Sequence, residues 1–294
     1  MGKVIGFCNQ KGGTGKTTTI VNLASYFALA GKKTLVIDLD AQANATSGLG
    51  IDKDGQSFTI YEALTQNIPP EQAITHTNIR YLYLIPASSA LSGAEIELVQ
   101  LDNREFLLKE MIRKIRDNFE YIFIDSPPSL GILAINILAA SDSVIIPIQC
   151  EYYALEGLSR LMQTLDLIRE RLNPSLDIEG IVLTMADFRT RLSSQVIDEV
   201  KNFFKDKVYD SIIPRNIRLS EAPSFGKPIY FYEPYSTGAR AYYNLACEVL
   251  KETIKGVYDG EEGIRQGVGS INSQERVDAS QGTGTSSTER IHLY

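Results

Sequence analysis

Short apolar runs alternate with longer amphipathic stretches along most of this chain. Val4–Cys8, Leu35–Ile37 after Thr34, Tyr81–Pro86, Tyr121–Ile124 and Ser143–Ile148 are nearly unbroken apolar runs, the pattern of strands buried on both faces. Ile178–Met185 and Val208–Ile213 read the same way. Between them lie helical periodicities. The first starts near Lys16, carries Ile20, Leu23, Ala24, Phe27 and Ala28 on one face, and stops at Gly31. Others are predicted over Thr59–Thr65, from about Ser92, over Leu107–Asn118, up to Ala140 after a turn at Ser126–Gly131, and over Leu155–Leu172, Ser193–Phe204 and Thr237–Ile254. The small polar run Ala41–Gly48 and the stretch Pro214–Gly226 are expected as loops. Strand–helix alternation of this kind predicts an α/β fold: a mostly parallel twisted sheet with helices on both faces. Ligands of such folds sit outside the C-terminal strand ends. The apolar pattern stops at Ile254. Residues 1–254 are therefore expected to fold, and 255–294 to form a polar tail, disordered from Asp259 onward.

Chemistry concentrates where the first strand ends. Gly12, Gly13 and Gly15 fall within four residues, followed by Lys16, Thr17 and Thr18. This is the end of a P-loop pattern, Gly-x-x-x-x-Gly-Lys-[Ser/Thr], with Gln10 where the leading glycine belongs and an extra lysine at position 11. Glycines strip away side chains, so backbone N–H groups from Lys11 through Thr14 to Thr18 are free to cradle phosphate oxygens. The following helix adds unsatisfied donors and a positive dipole end. Lys16 is expected to reach the β- and γ-phosphates, and the Thr17 hydroxyl to ligate Mg²⁺. A nucleotide with Mg²⁺ is thus the expected ligand.

Three acids belong to the same region. Asp125 ends an apolar strand and fits the Mg²⁺-side acid of a P-loop enzyme, acting through a bound water; a helix N-cap is the plain alternative. Asp38 and Asp40 share one side of their strand by period-2 alternation. Asp40 is expected to orient the attacking water, and Asp38 to hold Mg²⁺ waters or the P-loop itself; a pair of loop-capping acids is the other reading. Lys11 sits on the outer rim of the cradle. It is either a solvated lysine or, in a face-to-face dimer, a charge delivered across to the partner's γ-phosphate. In the latter case Gly12 lies at the interface.

Composition narrows the picture. The chain has 294 residues, 44% of them hydrophobic, and no run reaches the ~18 apolar residues of a spanning helix. Entry into a strand at Val4 leads us to expect no signal peptide. Three scattered cysteines and no Cys-x-x-Cys argue against a metal cluster and for reduced thiols in the cytoplasm. A net charge of −7 disfavours a uniformly basic nucleic-acid binder but allows a local basic face. Residues 184–230 hold eight bases and six acids, a modest excess that a solvated helix face explains equally well.

Lys11 to Thr18, Lys-Gly-Gly-Thr-Gly-Lys-Thr-Thr, resembles the deviant Walker A motif of the ParA/MinD ATPases. Asp38 to Gly48 resembles their second motif, with Ala41 where they usually carry proline, and Tyr121–Gly131 their Walker B segment. Gln149–Leu158 and Ile213–Pro223 narrow the resemblance to the small chromosomal ParA proteins called Soj, over residues 1–254. The resemblance implies a partitioning ATPase. ATP binding drives a nucleotide sandwich dimer that binds double-stranded DNA without sequence preference. A ParB-type partner stimulates otherwise slow hydrolysis and resets the dimer. It implies Lys11, Lys16 and Asp40 as catalytic, Thr17 on Mg²⁺, Thr18 on a phosphate, and Pro214 and Asn216 against adenine. It maps Arg189 and Arg218 onto DNA-contacting positions, and implies a cytoplasmic protein associated with the nucleoid in its ATP state. The alternative is a MinD-like membrane switch that positions division, but that needs a basic amphipathic C-terminal helix, which 255–294 lacks. A metal-cluster carrier would need paired cysteines. A DNA-coating protein that uses ATP only to assemble would not need Asp40.

Overall fold

The computed structural model describes residues 1–66, 68–151 and 154–258, so the expectation of a disordered tail lies outside the described residues. Chain contacts separate Met1–Ile254 from the residues that begin at Lys255.

Seven strands form one sheet. They are β1 (Lys3–Phe7), β2 (Thr34–Asp38), β3 (Thr75–His76), β4 (Leu82–Ile85), β5 (Tyr121–Asp125), β6 (Ser143–Gln149) and β7 (Asp177–Thr184), in the order β3-β4-β2-β5-β1-β6-β7. Every pairing is parallel except β3 with β4. The helices are α1 (Lys16–Leu29), α2 (Asn44–Gly48), α3 (Ile60–Thr65), α4 (Leu91–Leu98), α5 (Leu107–Ile115), α6 (Ile132–Ala140), α7 (Ala154–Arg171), α8 (Arg191–Phe204), α9 (Ile217–Glu221), α10 (Ile229–Tyr232) and α11 (Thr237–Leu250).

The central strands are buried as their uninterrupted apolar runs require; all of β2 is enclosed. Register sets the site. Asp38 pairs with Asp125 across β2 and β5, and Phe7 pairs with Asp125 across β1 and β5. Three strand ends thus converge where the chain leaves β1 for the glycine-rich loop. Behind them Phe27 packs edge-to-face on Phe123 and Tyr121, with ring centroids 5.1 and 4.8 Å apart. α1 is also fixed to α11: the Thr19 and Tyr242 hydroxyls lie 3.1 Å apart, and the Tyr26 hydroxyl donates to the Ala239 carbonyl at 2.8 Å.

Several expectations fail for local reasons. Val208–Ile213 is not a strand. It touches the sheet through single bridges at Val208 and, just beyond it, Pro214, because Glu248 of α11 accepts the N–H groups of Asp210 and Ser211 at 2.8 and 2.9 Å. Those donors are lost to any ladder. The last helix ends at Leu250, not Ile254, where Lys251 turns left-handed (φ 57°) and the Glu252 N–H closes back on the Cys247 carbonyl. The expected loops at 41–48 and 214–226 each contain a short helix, α2 and α9, too brief for a periodic signal. Asn216 caps α9, accepting from the N–H groups of Arg218 and Leu219.

Candidate functional site

The loop after β1 owes its shape to two glycines, a side chain of its own and one distant side chain. Gly13 (φ 75°) and Gly15 (φ 86°) are left-handed, a region that a Cβ strains. The Asn9 side chain accepts the Lys11 N–H at 3.0 Å and donates to the Pro147 carbonyl at 2.7 Å. From the end of β7, the Thr184 hydroxyl donates to the Thr14 carbonyl at 2.8 Å. Gly15 sits at the N-cap of α1 with no side chain capping it, and no acid lies in the first turn. The unsatisfied N–H groups and the positive end of the helix therefore open onto the loop, an arrangement suited to an anion. Lys16 is buried and donates to the Asn9 carbonyl at 3.1 Å. Burial pulls its pKa below the usual lysine value, against the opposing pull of Asp125.

Asp38 and Asp125 are fully buried beneath this loop. The Thr17 hydroxyl donates to Asp125 Oδ2 at 2.7 Å. Asp125 Oδ1 is also buried, yet has no hydrogen-bond partner. Burial, and next the charge of Asp38, push Asp125 well above the usual carboxylate range. A buried carboxylate oxygen without a partner, beside the Thr17 hydroxyl and the Asp38 carboxylate, fits a site completed by a cation or its bound water. Among the described residues no cluster of three or more His, Cys, Asp or Glu side chains could hold a metal by itself. A hard cation here would take its remaining oxygens from phosphate and water, as Mg²⁺ commonly does.

Asp38 is differently occupied. Its Oδ1 accepts the Asp40 N–H at 3.2 Å, and its Oδ2 accepts both the N–H and the hydroxyl of Thr46, each at 2.8 Å. Burial raises its pKa, and the Thr46 bonds oppose the rise. Asp40 is only partly buried, and its Oδ1 accepts the Gln42 N–H at 3.0 Å. The structure thus brings Lys16, Thr17, Asp38, Asp40 and Asp125 to one place. Beside Thr17 and Thr18 opens a cleft of about 400 Å³, lined also by Asn22, Ser47, Leu219 and Pro223.

The other candidate residues lie around this centre. The Lys11 ammonium is held by Glu151 at 3.3 Å, and Arg215 approaches the same carboxylate at 3.5 Å. A Cβ on Gly12 would meet only Pro128, at 3.9 Å, so there is room for a side chain within one copy of the chain. Pro214 is bridged to Ala186, two residues beyond Thr184, but lines a separate open cleft with Phe188 and Thr237. The Asn216 amide donates to the Thr237 hydroxyl at 2.8 Å, and its oxygen caps α9, so both ends of that side chain are engaged. Arg189 and Arg218 are on the surface, each paired with an acid close in sequence: Asp187, which it holds down to about 2, and Glu221, both at 2.8 Å. Sequence reasoning missed Asn9, Thr46 and Thr184. Asn9 and Thr184 are small polar residues at apolar strand ends, and Thr46 lies within α2; their residue types and places gave no stronger signal.

Comparison with known proteins agrees with this geometry. A family model described as an AAA domain matches residues 2–178. The chain is 55% identical over 249 residues to the sporulation initiation inhibitor protein Soj of Bacillus subtilis, covering 85% of this chain and 98% of that one. It is 53% identical over 251 residues to the chromosome partitioning protein ParA of Myxococcus xanthus, covering 85% and 89%. Among solved structures it is similar to a cobyrinic acid a,c-diamide synthase from Mycobacterium smegmatis with bound ATP analogue and magnesium, with a TM-score of 0.75 and 33% identity over 85% of this chain and 95% of that one. Among the described residues no helix is long and apolar enough to cross a membrane.

Proposed function

Because the chain belongs to the ParA/Soj family of chromosome-partitioning ATPases, we infer that it is an ATP-switched partitioning ATPase whose ATPase domain is 1–254. ATP is its substrate and Mg²⁺ its metal. Its ATP form pairs with a second copy and binds double-stranded DNA without sequence preference, which makes it nucleoid-associated within the cytoplasm. Hydrolysis is slow until a ParB-type partner stimulates it, and the dimer then separates.

The observation that carries this reading is the buried, unpartnered Oδ1 of Asp125 beside the Thr17 hydroxyl, under an uncapped α1 N-terminus. Thr17 and Asp125, the latter through water, are the residues that would hold Mg²⁺. When bound, Mg²⁺ would neutralise charge on the phosphates. The backbone from Lys11 to Thr18 receives phosphate oxygens, and Lys16 exchanges its bond to Asn9 for one to a phosphate. Asp40, partly exposed, orients the attacking water. Both Asp38 oxygens are engaged by Asp40 and Thr46, which favours the loop-capping role over the metal role for that acid. Lys11 leaves Glu151 and crosses to the partner's γ-phosphate, with Gly12 at the interface. Arg189 and Arg218 exchange their acids for DNA phosphates. Pro214 and Asn216 frame the base.

Sedimentation of Asp40→Ala with ATP, then with DNA at two salt concentrations, tests the reading. We expect a stable dimer that binds DNA, more weakly at the higher salt. A monomer in the presence of ATP would overturn it.

A further inference from the structure

We propose that Thr46 is a positioning residue for hydrolysis: it clamps the 39–45 loop shut and thereby sets where Asp40 stands. The proposal rests on the reading of Asp40 given above. Thr46 is fully buried, and each of its polar atoms is engaged. Its N–H and its hydroxyl both donate to Asp38 Oδ2 at 2.8 Å. With its one proton committed to Asp38, the hydroxyl oxygen accepts the Ala87 N–H, just past β4, at 3.1 Å. Its carbonyl accepts the Ile51 N–H at 3.1 Å.

The loop so closed is short and strained. Asp38 holds its first end through the Asp40 N–H at 3.2 Å, and Thr46 holds its second. Between them Ala43 sits at φ 54°, a left-handed conformation that alanine adopts at a cost, with its N–H on the Asp40 carbonyl at 2.8 Å. A strained turn persists only when its surroundings fix both ends. One carboxylate, bonded at residues 40 and 46, does this, and Ala87 ties the closure to the sheet. Asp40 itself has no bond to the P-loop among the described residues; the Leu39 N–H on the Asp125 carbonyl at 3.2 Å holds the strand side of the loop, and the clamp holds the other.

Thr46→Val keeps the shape of the side chain while removing both hydroxyl bonds, and Thr46→Ser restores them. We expect Thr46→Val to lower kcat at least tenfold while affinity for a fluorescent ATP analogue stays within about twofold of wild type, and Thr46→Ser to recover kcat to within about threefold. Thr46→Ala removes the same hydroxyl bonds with a smaller side chain and carries the test if Thr46→Val does not fold; it should show the same split between kcat and nucleotide affinity. The proposal is overturned if the valine variant turns over at the wild-type rate, if serine is as slow as valine, or if the loss falls on nucleotide affinity instead. Asp40→Ala is assayed alongside. Retained turnover there refutes the role of Asp40; an inactive Asp40→Ala with a wild-type Thr46→Val refutes only the clamp.

Discussion

The phosphate side of this molecule and its basic surface are built by opposite means. Around the P-loop Lys16, Asp38 and Asp125 are buried and almost every one of their polar atoms is assigned: Lys16 to a carbonyl, Asp38 to three donors, Asp125 to Thr17, with one oxygen of Asp125 left over. On the surface, Arg189 and Arg218 are exposed and each is paired with an acid two or three residues away. Buried polar groups are costly to leave unpaired, so the first region can take only a ligand that completes it. Exposed ion pairs contribute little and exchange partners readily. On the proposed function, the first region would recognise one chemistry and the second would accept any regular array of phosphates. The two meet where α2 and the 217–226 segment pack together, beside the cleft at Thr17 and Thr18. Gly50, just past α2, lies against Gly226, just past Phe225: a Cβ on Gly226 would sit 2.7 Å from the Gly50 Cα, and one on Gly50 would sit 2.8 Å from the Gly226 carbonyl oxygen.

The largest effect should come from emptying the phosphate side. Lys16→Ala removes a buried cation whose companions Asp38 and Asp125 remain. It should weaken ATP binding roughly a thousandfold, about 4 kcal/mol, as read by titration of a fluorescent nucleotide in the presence of Mg²⁺. The surface should be unaffected, so residual binding of the monomer to DNA should match wild type. Retained ATP affinity would mean that the assigned charges at the strand ends do not select the ligand.

This contrast also explains what could be read from the residues alone. The sheet was legible because burial on both faces forces unbroken apolar runs, as in β2 and β5, and the loop was legible because only glycine tolerates the angles at Gly13 and Gly15. Asp38 and Asp125 stood out as acids closing apolar strands, with Asp40 just beyond the first. The clamp role of Asp38 was not legible, because nothing local indicates that Thr46 will curl back onto it. The failure at Val208–Ile213 has the same origin: the competitor for its N–H groups is Glu248, 37 and 38 residues away. Side chains that reach across the fold leave no periodic trace in sequence.

A smaller effect should follow from prising the two regions apart where they meet. Gly226→Ala forces a left-handed alanine (φ 61°) against the Gly50 backbone, which has no flexible end to yield. Left-handed strain of ~1–2 kcal/mol adds to an overpacking cost of ~1–3 kcal/mol. Gly31→Ala is the control, because Gly31 is also left-handed (φ 79°) but meets nothing within 4 Å. Urea unfolding should show Gly226→Ala losing about 2–5 kcal/mol against about 1–2 kcal/mol for Gly31→Ala. Equal losses would mean that the glycine contact does not constrain the loop.

The smallest effect, and the one that separates the regions most cleanly, belongs to the surface arginines. Arg189→Glu and Arg218→Glu each replace one phosphate contact by a repulsion and leave their former acids in water. Each should weaken DNA binding of the ATP form about tenfold near 0.1 M salt, and flatten the slope of log affinity against log salt by about 0.9 for each lost phosphate contact. ATP affinity and the ATP-dependent dimer should remain as in wild type, because neither arginine bonds to any group of the P-loop region among the described residues. The measurement is fluorescence anisotropy on a duplex of arbitrary sequence at several salt concentrations, repeated with a second sequence. An equal loss on both duplexes is expected, since phosphate contacts carry no base information. An unchanged slope would place the DNA surface elsewhere. A loss confined to one duplex would mean that these side chains read base edges, and the contrast between a selective interior and an indiscriminate surface would no longer hold.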